Sequence, residues 1–231
     1  MIKTCIVGAS GYTGAELASL ALYVSAQSQD AGKKLGDVHG YLFAQVNLPL
    51  TPLNDDALHS LANEMDVIFL ATPHEASHDW MPILSSGKAV VFDLSGAFRL
   101  KDQQVFEQYY GFAHQQPACL EKAVYGLADW FAKDIKTADI VAVPGCYPTA
   151  SLSALKPLHD AGFIADGHLP IINAVSGVSG AGRKAAMASS YCEVSLQAYG
   201  VLGHRHQPEI SAYLGRDVIS NVVFWQPLPL K

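Results

Sequence analysis

Cysteine is scarce and scattered in this 231-residue chain. Cys5, Cys119, Cys146 and Cys192 form no CxxC pair and stand in no His–Cys ligand cluster. That spacing excludes a disulfide framework and a structural zinc site, and no metal is expected. Long apolar runs and an N-terminal apolar h-region are missing, so neither a membrane span nor a signal peptide is expected. Positive charge is in deficit, with a net charge of −6, which argues against a nucleic-acid partner. Repeats, low-complexity tracts and long charge runs are also absent. What remains is a globular composition, 50% hydrophobic and only 16% charged, long enough for two domains. A free thiol suits a reducing cytoplasm, the expected location.

Cys146 is the most informative residue present. Residues 139–143 (DIVAV) read as a short buried strand bounded by Pro144-Gly145, and Cys146 follows at once. Tyr147-Pro148-Thr149-Ala150 then opens an apolar-periodic stretch, and a Pro in the first turn is a helix start signal. Cys146 is thus expected at or just before a helix N-terminus, where free amides and the helix dipole favour a thiolate. The bland alternative is a buried, inert cysteine. A strand, Pro-Gly, Cys and helix in succession favour the nucleophile.

The N-terminus points to a cofactor. An apolar strand over residues 2–7 runs into Gly8-Ala9-Ser10-Gly11-Tyr12-Thr13-Gly14, followed by a helix over residues 16–20. Strand, glycine turn and helix is the dinucleotide-binding context, here as GxxGxxG. Gly8 would make the turn, Gly11 would admit a pyrophosphate, and Gly14 would let helix pack on strand. NAD sites carry an acid at the end of the second strand, to hold the ribose 2′-hydroxyl. Residues 22–28 carry Ser25 and Ser28 instead, which suits the 2′-phosphate of NADP. Only eleven residues run from Gly14 to Ser25, short for a helix, a turn and a returning strand. The connection is therefore expected to be abbreviated, with residues missing between Leu20 and Tyr23.

Strands over residues 66–71 and 89–94, with a helix over 78–85, continue an α/β alternation. Ligands sit beyond the C-terminal strand ends of open parallel sheets, which makes Arg99 a candidate by position. A third strand candidate, residues 169–175, runs into Ser176-Gly177-Val178-Ser179-Gly180, an amide-rich loop fit for an anion or a flat ring. A helical stretch is expected over residues 185–190. His204 and His206 then precede a helix over 209–214, with Glu209 in its first turn. No third ligand makes the two histidines a metal site. A histidine beside a carboxylate suits acid–base work, although spacing does not say which of the two performs it.

Taken in order, GASGYTGAEL, VSAQS, DLSGAFRL, VPGCYPTA, SGVSGAGRK and HRHQPEI resemble the N-acetyl-gamma-glutamyl-phosphate reductases. These are NADPH-dependent acyl-phosphate reductases of arginine biosynthesis, in the wider group that includes aspartate-semialdehyde dehydrogenase. The resemblance implies a Rossmann-like parallel-sheet domain over residues 1–147 and an α+β catalytic domain over 148–231. It implies Cys146 as nucleophile, His204 as acid/base residue, and Arg99, His206 and Glu209 around the substrate. Gly8, Ser10, Gly11, Tyr12, Thr13 and Gly14 match the pyrophosphate loop, and Ser25 and Ser28 the 2′-phosphate region. Ser176, Gly177, Ser179 and Gly180 match the nicotinamide-side loop. A small acyl phosphate is the implied substrate, and a homo-oligomer is expected. The family pattern departs after Ile219. The rival readings are an aspartate-semialdehyde dehydrogenase, a cysteine hydrolase, and an NADP-binding module without turnover.

Overall fold

A computed structural model describes residues 2–18, 23–25, 30–43, 45, 46, 48–190 and 195–225. The chain divides into two compact units, Met1–Pro144 and Gly145–Lys231. The division falls ahead of the expected 147/148 boundary because Cys146 and Tyr147 already form the first turn of a helix in the second unit.

The first unit alternates strands and helices. It runs β1 (Thr4–Val7), α1 (Tyr12–Leu17), β2 (Tyr23–Ser25), α2 (Leu35–Val38), α3 (Asp55–Glu64), β3 (Val67–Leu70) and α4 (His74–Leu84). It continues through β4 (Val90–Asp93), α5 (Gln103–Tyr110), α6 (Pro117–Lys122), β5 (Val124–Tyr125), α7 (Ala128–Ile135) and β6 (Ile140–Ala142). The six strands form one parallel sheet in the order β2-β1-β3-β4-β6-β5. Strand alternation sends Cys5 and Val7 into one buried cluster with Ile68, Leu70 and Val91. Ile6 faces the other way, into a cluster with Ala15, Leu35 and Leu50. A parallel sheet covered on both faces needs this double apolar pattern. The helices are punctuated locally. Asn54 Oδ1 accepts from Ala57 N at 2.8 Å to cap α3, and Asp102 Oδ1 caps α5 through Gln104 and Val105.

Order 2-1-3-4 places a topological switch point between β1 and β3, where chain connections leave in opposite directions. Such crevices are the usual ligand sites of open α/β sheets. The expected short connection still delivers a parallel partner to β1, with Cys5 opposite Tyr23 and Val7 opposite Ser25. The residues expected to be missing there adjoin a stretch outside the described residues.

The second unit holds α8 (Cys146–Asp160), β7 (Ile171–Gly177), β8 (Gln197–Tyr199), α9 (Gln207–Leu214) and β9 (Ile219–Trp225). Its three-stranded sheet has the order β7-β9-β8, with β7 parallel and β8 antiparallel to β9. α8 and α9 pack together. The helix expected over 185–190 is instead a single 3-10 turn, Met187–Ser189. Most of that stretch is exposed, so no apolar face is buried to hold a full helix. Among the described residues no helix is long and apolar enough to cross a membrane.

Candidate active site

The glycine turn leaves the C-terminal end of β1 at the switch point. Gly8 adopts φ +91°, and a Cβ there would stand 2.3 Å from Ala71 O. A Cβ on Gly14 would stand 2.5 Å from Gly8 O, so helix α1 packs directly on the turn. Only glycine satisfies both positions. Gly11 N donates to Gly8 O at 3.1 Å and Ala15 N to Gly11 O at 2.9 Å, which closes the turn into the helix. His39 Nε2 donates to Ser10 O at 2.9 Å from outside. Tyr12 and Thr13 stay exposed at the start of α1. Ser25 ends β2 beside Val7, the edge where a ribose would lie, whereas Ser28 lies outside the described residues.

Arg99 follows β4 in the same unit and is buried. Its Nε donates to Val143 O at 2.7 Å and one terminal nitrogen to Leu94 O at 2.8 Å. These bonds tie the C-terminal ends of β4 and β6. Nearby Asp93 is fully buried and accepts from Ser95 N and Ser95 Oγ, each at 2.9 Å. Burial holds its carboxyl above the usual carboxylate range, against the Ser95 bonds and the Arg99 charge.

The second unit gathers the reactive side chains. Cys146 is exposed and is the first residue of α8, with Gly145 as the N-cap. Glu209, fully buried in the first turn of α9, accepts from Gly145 N at 3.0 Å through Oε1. Glu209 thus holds the N-cap residue that precedes the cysteine. A cleft of about 320 Å³ opens over Cys146, lined by Tyr147, Tyr199, His204 and His206 together with Ser176 and Gly180 of the β7 loop. Gly177 and Ser179 belong to that loop without lining the cleft.

Aromatic contacts order this cluster. The His204 ring meets Tyr147 edge-on at 5.2 Å, Tyr199 at 5.5 Å and His206 at 4.7 Å between centroids. The hydroxyls of Tyr147 and Tyr199 hydrogen-bond at 2.8 Å. His206 N donates to His204 Nδ1 at 3.1 Å, so neutral His204 carries its proton on Nε2. Burial, helped by neighbouring Arg205, pushes His204 down to about 4. Burial and the Tyr147 bond raise the Tyr199 hydroxyl, with Cys146 adding to the effect. His206 is itself buried.

Tyr147 and Tyr199 went unnoticed in the sequence. Tyr147 had a signal, since it follows the cysteine in PGCY. Tyr199 had none, because its place depends on β8 pairing antiparallel with β9. Among the described residues no three His, Cys, Asp or Glu side chains gather as a metal site requires.

Comparison with known proteins assigns both units. Residues 3–138 match the semialdehyde dehydrogenase NAD-binding domain, and residues 146–226 match the semialdehyde dehydrogenase dimerisation domain. The N-acetyl-gamma-glutamyl-phosphate reductase of Pseudoalteromonas atlantica is 85% identical over 229 residues, covering 95% of this chain and 67% of that protein. The Escherichia coli protein of the same name is 56% identical, covering 95% of this chain and 68% of its own. Among solved structures, aspartate semialdehyde dehydrogenase II of Vibrio cholerae superposes with a TM-score of 0.66 at 15% identity, over 97% of this chain and 70% of that one. A Candida albicans aspartate semialdehyde dehydrogenase with NADP gives 0.60 at 13% identity, over 99% of this chain and 69% of that one.

Proposed function

The chain belongs to the semialdehyde dehydrogenase family, among the N-acetyl-gamma-glutamyl-phosphate reductases, and from that premise we propose the following chemistry. It carries out the NADPH-dependent reductive dephosphorylation of N-acetyl-gamma-glutamyl phosphate to N-acetylglutamate semialdehyde, a step of arginine biosynthesis. The observation that carries this reading is Cys146, exposed at the first position of α8 and sharing a cleft with His204.

Cys146 attacks the acyl carbon through its sulfur, and inorganic phosphate leaves with the electrons of the broken C–O bond. A thioester remains on the enzyme, which divides one difficult reduction into two easier steps. NADPH, when bound, supplies the hydride. His204 handles the proton that the oxygen of the tetrahedral intermediate and the departing thiolate exchange as that intermediate forms and collapses. In the resting arrangement its proton sits on Nε2, while Nδ1 holds the amide of His206. Taking up a proton at Nδ1 means giving up that amide, so acid–base cycling is coupled to one hydrogen bond. Glu209 keeps Gly145, and hence the start of α8, in register.

Gly8, Gly11 and Gly14, with Ser10, Tyr12 and Thr13, would hold the pyrophosphate. The fit rests on the tight turn from β1 into α1, whose close backbone packing a Cβ at Gly8 or Gly14 would block. Ser25, with Ser28, would take the 2′-phosphate, and the loop carrying Ser176, Gly177, Ser179 and Gly180 would face the nicotinamide. His206 supports His204 in the cleft. The substrate-carboxylate role of Arg99 is carried by the family resemblance, while its Nε and one terminal nitrogen bind carbonyls at two strand ends. A free catalytic thiol is at home in the cytoplasm, and the dimerisation domain supports a homo-oligomer.

The reverse reaction tests the proposal. N-acetylglutamate semialdehyde, phosphate and NADP should yield NADPH absorbance that depends on all three. NADPH binding without this turnover would leave only a binding module, and acyl-phosphate cleavage without NADPH consumption would indicate a hydrolase.

A further inference from the structure

The loop after β4 is held by three histidines that the chemistry above does not use. Residues 95–100 are all buried although they form neither strand nor helix. Their main-chain groups turn to side chains. Ser95 N donates to Asp93 Oδ1 at 2.9 Å, Gly96 N to His74 Nδ1 at 2.8 Å, and Ala97 N to Ser95 Oγ at 3.1 Å. His114 Nε2 donates to Ala97 O at 3.1 Å. Phe98 is fully buried, stacked with the His78 ring at 6.4 Å and edge-on to the His114 ring at 5.2 Å. Arg99 comes next and binds the carbonyls of Leu94 and Val143.

Each of these histidines accepts a main-chain amide through one ring nitrogen. His74 Nδ1 takes Gly96 N, His78 Nε2 takes Gln115 N at 2.9 Å, and His114 Nδ1 takes Gln116 N at 3.2 Å. An accepting ring nitrogen bears no proton, so all three are neutral in this arrangement. His74 and His114 then carry Nε2–H, and His78 carries Nδ1–H, which donates to Asp79 Oδ1 at 2.8 Å. Protonation would set N–H against N–H and strip a buried amide of its acceptor. His74 and His78 lie one turn apart on α4, so a single helix face addresses the loop.

We propose that His74, His78 and His114 are positioning residues that, as neutral imidazoles, clamp residues 95–98 and so set where the Arg99 guanidinium lies. The groups around them pull in both directions. Asp79 accepts from His78 Nδ1, and on His114 the His78 ring and Lys101 oppose charge while the Ala97 carbonyl favours it. Burial dominates at His114 and pushes it down to about 4. The Tyr110 ring meets His74 edge-on at 4.9 Å, and Asp93 and Arg99 complete the charged groups at the loop. The clamp itself stands apart from the assigned reaction. Its consequence for substrate rests on the reductase reading and on Arg99 meeting the substrate.

Nitrogen NMR of the full chain tests the clamp without turnover. At pH 7.5 the rings should show Nε2–H for His74 and His114 and Nδ1–H for His78, and a reversed tautomer at His74 or His114 overturns the proposal. His74→Leu should speed exchange of the Gly96 amide roughly tenfold, the loss of about one hydrogen bond, and move the Arg99 Nε–H resonance. His74→Asn, which places an oxygen near the lost Nδ1, should restore both. Equal exchange in His74→Leu and wild type also overturns the proposal. Should His74→Leu not fold, wild-type protection at Gly96 and Ala97 decides, because it must fall as pH drops from 6.5 toward 4. In the turnover assay His74→Leu should raise KM several-fold with little change in kcat, and His74→Asn should reverse it. The NMR signature in a chain without turnover keeps the clamp and removes the reductase reading. A moved Arg99 resonance with unchanged KM removes the link from Arg99 to substrate.

Discussion

Two histidine clusters, one in each unit, make opposite use of the same side chain. His114 and His204 are both pushed down to about 4, chiefly by burial. His114 spends both ring nitrogens on main-chain groups and is surrounded by Phe98, Phe106 and His78. His204 commits one nitrogen to the His206 amide and turns its ring to a cleft that also exposes a cysteine. A depressed histidine therefore marks burial first, and access with a reactive neighbour is what makes it chemical. The cysteines repeat the contrast. Cys5 is inside β1, fully buried and pushed up to about 12, whereas Cys146 stands exposed at a helix start.

Cysteine substitutions break the comparison most sharply. Cys146→Ser should abolish turnover while NADPH binding stays intact, because sulfur acts in the chemistry and not in cofactor capture. Cys5→Ala should keep turnover per folded molecule and lose only stability. Iodoacetamide with peptide mapping should label Cys146 well before Cys5, and the reverse order would break the contrast between the two cysteines.

Histidine variants come next in size. His204→Asn should lower kcat by about 10²–10⁴, the usual range for a positioned proton-transfer group, with KM moving less. His206→Asn should cost less, since it supports His204. A larger kcat loss at His206 in a folded variant would move the acid/base role there. His114→Gln should leave kcat far closer to wild type than His204→Asn does.

Acid stability sharpens the likeness between the clusters. Both histidines are neutral in the fold and ionise near 6.5 once unfolded. The unfolded chain binds more protons between these values, so stability is full above pH 6.5 and is lost as pH falls toward 4. Tm measured from pH 7 to 4.5 should fall more steeply in wild type than in His114→Gln. The same flattening is expected for His204→Asn.

The smallest effect concerns the cofactor. Ser25→Asp sets a negative charge where the 2′-phosphate is expected and should shift the NADPH:NADH preference toward NADH. An unchanged ratio of kcat/KM values would take the end of β2 out of the site.

Much of the first unit was legible because its signals are local. Short continuous apolar runs marked β1, β3, β4 and β6, and the glycines at 8, 11 and 14 marked the turn between strand and helix. α3 and α5 were not anticipated, although Asn54 and Asp102 stand as caps ahead of them. The 185–190 stretch misled because small helix-permitting residues do not make a helix without a face to bury. Arg99 does follow the end of β4 as its position in the sequence suggests, yet its bonds to Leu94 and Val143 carbonyls could not be foreseen.

The sequence by itself determined the class of chemistry. A cysteine placed between a strand and a helix, a glycine turn at the first strand and a histidine pair before a helix are all short-range patterns. Only the tertiary structure decided which side chains share a space. Glu209 meets Gly145 across 64 positions of chain, and Tyr199 meets Tyr147 across 52. Such pairs are chosen by helix packing and strand register, which depend on the whole buried surface and leave no trace at either residue alone.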